Sequence, residues 1–212
     1  LNYKDFKCAW IKKSNLWNLA DETRLIYWPE NKLPIDMEDI IELRLILDIE
    51  PMHDLLILID MDAWLKLDLS GIAVDYNCYI NDRYANRLRF SLAHEIAHFF
   101  LHKDIYSGYQ FSSLNEWKYF MINVSEDEYR NFEWQANEFA GRFLVPREEL
   151  KTRIDQAIEF IKNESGLIEY LKQDPDAILS RMSPFLRKPF GVSDQVIVFR
   201  VQSEKLWPPE IF

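Results

Sequence analysis

The chain has 212 residues, a formal net charge of −10, and 48% hydrophobic and 15% aromatic residues, values of a globular protein that can bury one core or a core plus a small appended unit. Its longest uninterrupted apolar run, Leu55 to Ile59, is far too short to cross a bilayer, and the polar first residues predict no cleavable secretory signal. From Lys151 onward there are nine basic and nine acidic side chains, so the net acidity falls on residues 1–150 and disfavours a general affinity for nucleic acid.

Residues 1–33 show no clear pattern and stand as an unassigned N-terminal extension. Cys8 and Cys78 are too few for a disulfide framework and form no CxxC pair. They read as small buried hydrophobes in a reducing, cytoplasmic protein. Pro34 to Leu45 predicts a helix with proline and acids in its first turn and Ile40, Ile41, Leu43 and Leu45 on its buried side. Leu55 to Ile59, Trp64 to Leu69 and Ile72 to Ile80 then alternate or run apolar between Asp, Ser-Gly and Asn breakers, which predicts a small antiparallel sheet. Asn81-Asp82 ends the last strand and offers a cap for the next helix.

That helix carries His94-Glu95-Ile96-Ala97-His98 inside the run Phe90 to His102. Residues four apart on an α-helix share a face, so both imidazoles reach one metal ion. Glu95, beside them, can take a proton from water at an open coordination position. A histidine on an apolar helix is more often a core residue than a ligand. Here, however, the flanks Phe90, Leu92, Ala93, Ile96, Ala97, Phe99, Phe100 and Leu101 predict burial on nearly every side, where three polar groups need a common partner. A metal is the simplest one, and the HExxH spacing encodes a zinc hydrolase.

Lys103 to Val124 has no clear period and reads as loop with some strand, a natural wall for a cleft. Ser125-Glu-Asp-Glu128 matches a capping box and opens a helix that runs through Phe143 until Pro146. Leu150, Ile154, Ala157, Ile158 and Ile161 repeat at helical spacing, giving one more amphipathic helix before Ser165-Gly166. Proline-punctuated short segments follow.

A zinc hydrolase needs three protein ligands and an open position, so a third ligand must lie outside the motif. His102 sits eight residues from His94, about 12 Å along the axis, too far for a rigid helix to converge all three. It suits a cap or a group behind the ligands. The pattern HExxHxxGxxH fails as well, because Leu101 and Asp104 stand where its glycine and last histidine belong. A carboxylate on the second helix remains, and Glu133, Ala136, Asn137 and Ala140 share one face, with alanines small enough for close approach. Glu133 then ligates, Asn137 holds the ring N–H of a zinc histidine, and Glu138 is rotated away. Glu126, Asp127 and Glu128 are explained by their place at the helix start.

The run Arg87 to His102, followed by Glu133-Trp-Gln-Ala-Asn-Glu-Phe-Ala-Gly-Arg-Phe-Leu-Val-Pro146, resembles the ImmA/IrrE family of metallo-endopeptidases. The Pro34 helix and the Tyr79-Ile-Asn-Asp82 segment are similar to it too, so the likeness covers about residues 34–150. It implies that His94, His98 and Glu133 bind Zn2+ and that Glu95 is the general base. It also implies an α+β fold with a thermolysin-like, gluzincin core of helices on the small sheet. The expected organisation is the N-terminal extension 1–33, a metallopeptidase core 34–150 and a small, mainly helical extension 151–212. Phe190 to Arg200 resembles the helix-turn-helix-like ending of many members, with two departures. Pro189 interrupts the preceding helix, and Val196 to Phe199 is β-branched enough for a strand, so a packing element is expected there and not a DNA reader.

The chemistry expected is peptide hydrolysis by zinc-activated water with Glu95 as proton carrier. A Tyr, His or Arg is expected to supply the oxyanion donor, and Tyr106, Tyr109, Tyr119 and Tyr129 are all candidates. The resemblance implies one particular protein substrate, a transcriptional repressor or antitoxin-like regulator. Two rival classes are a non-catalytic toxin–antitoxin partner that retains the zinc fold, which the intact Glu95 opposes, and a DNA-binding regulator, which the acidic balance opposes. No membrane partner is expected.

Overall fold

A computed structural model describes residues 6–109, 113–164 and 166–208, and the chain is mostly helical with one small sheet, an α+β protein. It divides into two compact units, one formed by the residues up to Asn31 with Asp36–Phe143, the other by Lys32–Ile35 with Leu144–Phe212. Among the described residues no helix is long and apolar enough to cross a membrane.

In the first unit, residues 6–12 have no regular secondary structure and lead into helix α1 (Lys13–Tyr27). Where a full helix from Pro34 was expected there is a short π-helical stretch, Asp39–Arg44, which buries Ile40 and Ile41. Strand β1 (Asp48–Met52), the short helix α2 (Leu55–Ile59), β2 (Ala63–Leu65), β3 (Gly71–Asp75) and the short helix α3 (Tyr76–Ile80) follow. The sheet order is β1-β3-β2, with β1 parallel to β3 and β2 antiparallel to it. The sheet is therefore mixed, correcting the antiparallel expectation. Its first strand is Asp48–Met52 and not the apolar run Leu55–Ile59, whose Ile57 is 82% exposed. Pro51 in β1 fits an edge strand, which needs fewer N–H donors. Central β3 is buried along its whole length, and Gly71 permits the pairing, since a Cβ there would meet the Asp48 carbonyl oxygen at 2.4 Å.

Asp75 ends β3 and turns the chain. Its Oδ1 accepts from Asn77 N at 3.0 Å and Cys78 N at 3.1 Å, and its Oδ2 from Leu56 N at 3.1 Å, so the expected continuation of the strand to Ile80 becomes α3. A 3₁₀ turn, Asp82–Tyr84, capped by the Asn81 side chain, leads into α4 (Ala85–Leu101). Buried Asp62, just before β2, accepts hydrogen bonds from Arg87 and Ser91 on α4 and so ties that helix to the sheet.

Residues 103–124, expected as loop and strand, supply helices α5 (Lys103–Tyr109) and α6 (Leu114–Asn123), with residues 110–112 outside the described ones. Their aromatics explain the missing period. Tyr106, Trp117 and Phe120 are buried together with Phe6 and Phe132, in edge-on, tilted and stacked contacts that need no strict repeat. Helix α7 (Glu126–Leu144) closes the unit. Ser125 caps it through Glu128 N at 3.4 Å, while the Glu128 carboxylate accepts from Cys8 N and Lys7, both at 2.9 Å or less.

The second unit holds α8 (Arg147–Asn163), α9 (Leu167–Gln173), α10 (Pro175–Arg187) and α11 (Asp194–Ser203). The apolar face expected on α8 is the buried one, Leu150, Ile154, Ala157, Ile158 and Ile161. The Ser165 expected to help end it lies outside the described residues. Val196–Phe199 is helical, correcting the strand expectation, with Ser193 Oγ capping Val196 N at 3.3 Å and Ile197 and Val201 buried. Arg200, wholly buried, pairs with Glu204, which also accepts from Arg147 Nε at 3.1 Å.

Candidate metal centre

Helix α4 brings His94 and His98 onto one face, and α7 brings Glu133 opposite them. Helix α4 is less enclosed than its sequence predicts. Leu92, Ala93, Ile96 and Ala97 are buried, while Phe90, Phe99, Phe100 and Leu101 are half-buried. His98 Nε2 lies 2.9 Å from His94 Nε2, Glu133 Oε2 lies 3.2 Å from His94 Nε2, and Glu133 Oε1 lies 3.8 Å from His98 Nε2. Of the His, Cys, Asp and Glu residues described, these three form the group whose ligand atoms all lie within 4.8 Å of one another. A tetrahedral site with bonds of about 2.0–2.1 Å has edges of about 3.4 Å, a value that the three separations bracket.

The hydrogen bonds behind the rings decide which nitrogens carry protons. Asn137 Oδ1 sits 3.1 Å from His94 Nδ1 and accepts its proton, which leaves His94 Nε2 with a lone pair. His98 Nδ1 faces His102 Nδ1 at 2.8 Å, and His102 Nε2 faces Gln135 Oε1 at 3.2 Å. With His102 donating to Gln135, its Nδ1 accepts from His98, and His98 Nε2 is likewise bare. Two nitrogen lone pairs and a carboxylate aimed at one point require a cation between them. A proton serves one pair at a time, whereas a divalent ion serves all three, so the donor set fits a metal.

Burial governs the charges. It presses His98 well below the usual histidine range, helped by the neighbouring His94 and His102, and it pushes His102 down to about 4. Burial also opposes charge on His94, yet the Glu133 hydrogen bond and the Glu95 and Glu133 carboxylates hold its pKa above the ordinary value. Glu95 is 6% exposed and burial raises its pKa to about 7. Its Oε2 accepts from Leu65 N on β2 at 2.7 Å, and among the described residues Oε1 takes no hydrogen bond.

Asn137 and His102 both stand behind the two histidine donors, where their spacing puts them. Glu138 points away, as expected, and is buried where Lys13 Nζ and Trp17 Nε1 both reach it at 2.9 Å. Of the four tyrosines, Tyr129 donates from its hydroxyl to Met121 Sδ at 3.6 Å, and burial together with the nearby Glu133 charge raises its pKa. Tyr106 is buried against Trp117, and burial together with the Glu95 and Glu133 charges raises its pKa strongly. Tyr109 packs on Phe6 and Phe120, and Tyr119 is 60% exposed. Sequence reasoning missed Gln135, the Leu65 amide and Phe132, whose ring lies 4.3 Å from that of His98 and 4.2 Å from that of His102. None carries a local signal, because each reaches the site through a long-range packing contact.

Two histidines one helical turn apart, a carboxylate from a crossing helix and a buried glutamate beside them define a candidate centre of the metallopeptidase type. Residues 76–202 match the Peptidase_M78 family, described as the IrrE N-terminal-like domain, and the chain belongs to that family, the one its motifs resemble. The family gives the chain a protease function of the metallopeptidase type. No curated protein matches the chain.

Proposed function

We propose that the chain is a zinc-dependent endopeptidase of gluzincin type that cuts one intracellular protein, a transcriptional repressor or antitoxin-like regulator. The observation that carries this reading is the convergence of His94 Nε2, His98 Nε2 and Glu133 with Glu95 buried beside them. Those three residues would hold the ion. A bound zinc ion supplies Lewis acidity that polarises the scissile carbonyl and brings the pKa of water to about 7.

The remaining steps belong to the chain itself. Glu95 Oε1 is open to take a proton from the attacking water, because Oε2 is already fixed by Leu65 N. The Glu95 carboxylate can accept that proton and return it to the leaving amine. Asn137 orients His94 and His102 orients His98, so the two nitrogen donors keep their geometry while the proton moves. Selectivity for one protein is what a protease sharing a compartment with other proteins requires. The acidity of residues 1–150 supports a protein partner over nucleic acid.

The test is a mixture of cellular proteins incubated with the zinc-loaded chain and analysed for new N-termini. One dominant cut is expected, abolished by chelator and restored by zinc. A mixture left intact under all conditions would instead favour a regulatory protein that keeps the fold without turnover.

A further inference from the structure

The hydrogen bonds behind His98 run through His102, Gln135 and Asn131 and end on the carbonyls of Cys8 and Ala9, which lie outside the segment that matches the family. Residues 6–10 have no regular secondary structure and are hydrogen-bonded to α7 through Cys8 and Ala9. Asn131 Nδ2 donates to the Cys8 carbonyl at 3.0 Å, which turns Asn131 Oδ1 toward Gln135. Gln135 Nε2 donates to that Oδ1 at 3.2 Å and to the Ala9 carbonyl at 2.8 Å. Both amide protons of Gln135 are thereby committed to acceptors, and its Oε1 is left facing His102 Nε2 at 3.2 Å. Gln135 is wholly buried and His102 is 3% exposed, so water cannot easily stand in for either partner.

We propose that Gln135 and His102, oriented by the Cys8 and Ala9 carbonyls, form a relay of hydrogen bonds that keeps the His98 proton on Nδ1 and its Nε2 lone pair on the metal. The inference rests on the metal-site reading above. Both residues act through His98 and are positioning residues. The direction is unambiguous because a backbone carbonyl only accepts. Starting from two such carbonyls, each later group has one role left, down to His98. Reversing any link would put two donors or two acceptors face to face in a buried place. The segment 6–10, which the family match does not include, is thus a working part of the centre.

Two readouts test the relay without relying on turnover. In the metal-free protein, imidazole nitrogen shifts should report His98 protonated on Nδ1 and His102 on Nε2. Zinc affinity, read by competition with a chelator, should fall about 10–100-fold in His102→Leu and in Gln135→Met, the range for losing a group behind a metal ligand. His102→Asn, whose Oδ1 falls near the place of Nδ1 and can accept from His98, should stay within a few-fold of wild type. His98 protonated on Nε2, equal zinc affinity in all variants, or His102→Asn as weak as His102→Leu would each overturn the proposal. Should His102→Leu not fold, Gln135→Met and the nitrogen shifts decide. Failure of the wild type to bind zinc at all would count against the metal site itself, whereas the tautomers would still be readable.

Discussion

His94 and His98 face each other through their Nε2 atoms at 2.9 Å, and each is held in that pose from behind, His94 by Asn137 and His98 by His102. The arrangement predicts close to one zinc per chain, measured by elemental analysis of purified protein. Glu133→Ala should lose the metal. Asn137→Ala should keep it with about 10–100-fold lower affinity. Glu138→Ala should bind normally yet cost about 1 kcal/mol of stability, because half-buried Trp17 Nε1 loses this acceptor while Lys13 can turn to water. Zinc retained by the Glu133 variant would refute the ligand assignment.

Glu95 carries a stability cost that its variant should reveal. In metal-free protein its pKa is raised from 4.5 to about 7 by burial. Between those values the folded chain keeps a proton that the unfolded chain has released, so stability falls as pH rises. Above pH 7 the full cost is on the order of 3 kcal/mol. Glu95→Gln should therefore melt higher than wild type at pH 8, with the gap closing toward pH 4.5, and should show no cleavage. A gap independent of pH would mean that the carboxyl is not held in a desolvated place.

What the sequence made legible follows from range. His94 and His98 share a helix face set by local spacing, which the period shows, whereas Glu133 on a second helix follows from setting other third ligands aside and from the family resemblance. Strand β1 could not be read from its period, since Asp48–Met52 has no sustained alternation and its pairing depends on the missing Cβ of Gly71, which lies opposite Asp48. The run Leu55–Ile59 has the apolarity of a buried strand, yet it is a short helix that buries Leu55 and exposes Ile57 and Leu58. Val196–Phe199 has strand propensity that a serine cap and the Arg200–Glu204 pair override. Gln135 was hidden for a different reason. Its role exists only where α4, α7 and the segment 6–10 meet.

Phe132 supports both rings of the relay and also meets Phe6 and Trp117 at 6.3 Å between centroids. It is wholly buried. Phe132→Ala should destabilise the first unit by about 3–5 kcal/mol. Zinc affinity should fall as well, since His98 and His102 lose the surface that holds them. Denaturant unfolding and chelator competition measure the two effects, and a loss of stability with unchanged affinity would limit Phe132 to packing.

In the second unit, Glu204 neutralises wholly buried Arg200 and also takes Arg147. Glu204→Ala leaves a buried guanidinium without its carboxylate and should cost about 3–5 kcal/mol. Replacing both partners, Arg200→Met with Glu204→Leu, should recover most of that, because removing the charges together also removes their desolvation penalty. Urea midpoints of the single and double variants check this, and a double variant as weak as the single would point to a shape that only the ion pair fills.

The partner is best approached with the Glu95→Gln protein, which keeps every proposed ligand and lacks the proton carrier. Used as bait in a cell extract, it should retain one dominant protein that the wild-type chain cuts at a defined bond. Nucleic acid is disfavoured by the surface of α11 as well as by the acidity of residues 1–150. Its one arginine, Arg200, is buried, and the exposed residues are Gln195, Phe199 and Gln202, which offer no positive charge to phosphate. A titration with duplex DNA across salt concentrations should accordingly show no steep salt dependence. Salt-sensitive duplex binding would favour a DNA-binding regulator. A stable partner left intact by both wild type and variant would favour a toxin–antitoxin role. A single retained protein, cut by the wild type alone, is the outcome that the open oxygen of Glu95 and the three converging donors lead us to expect.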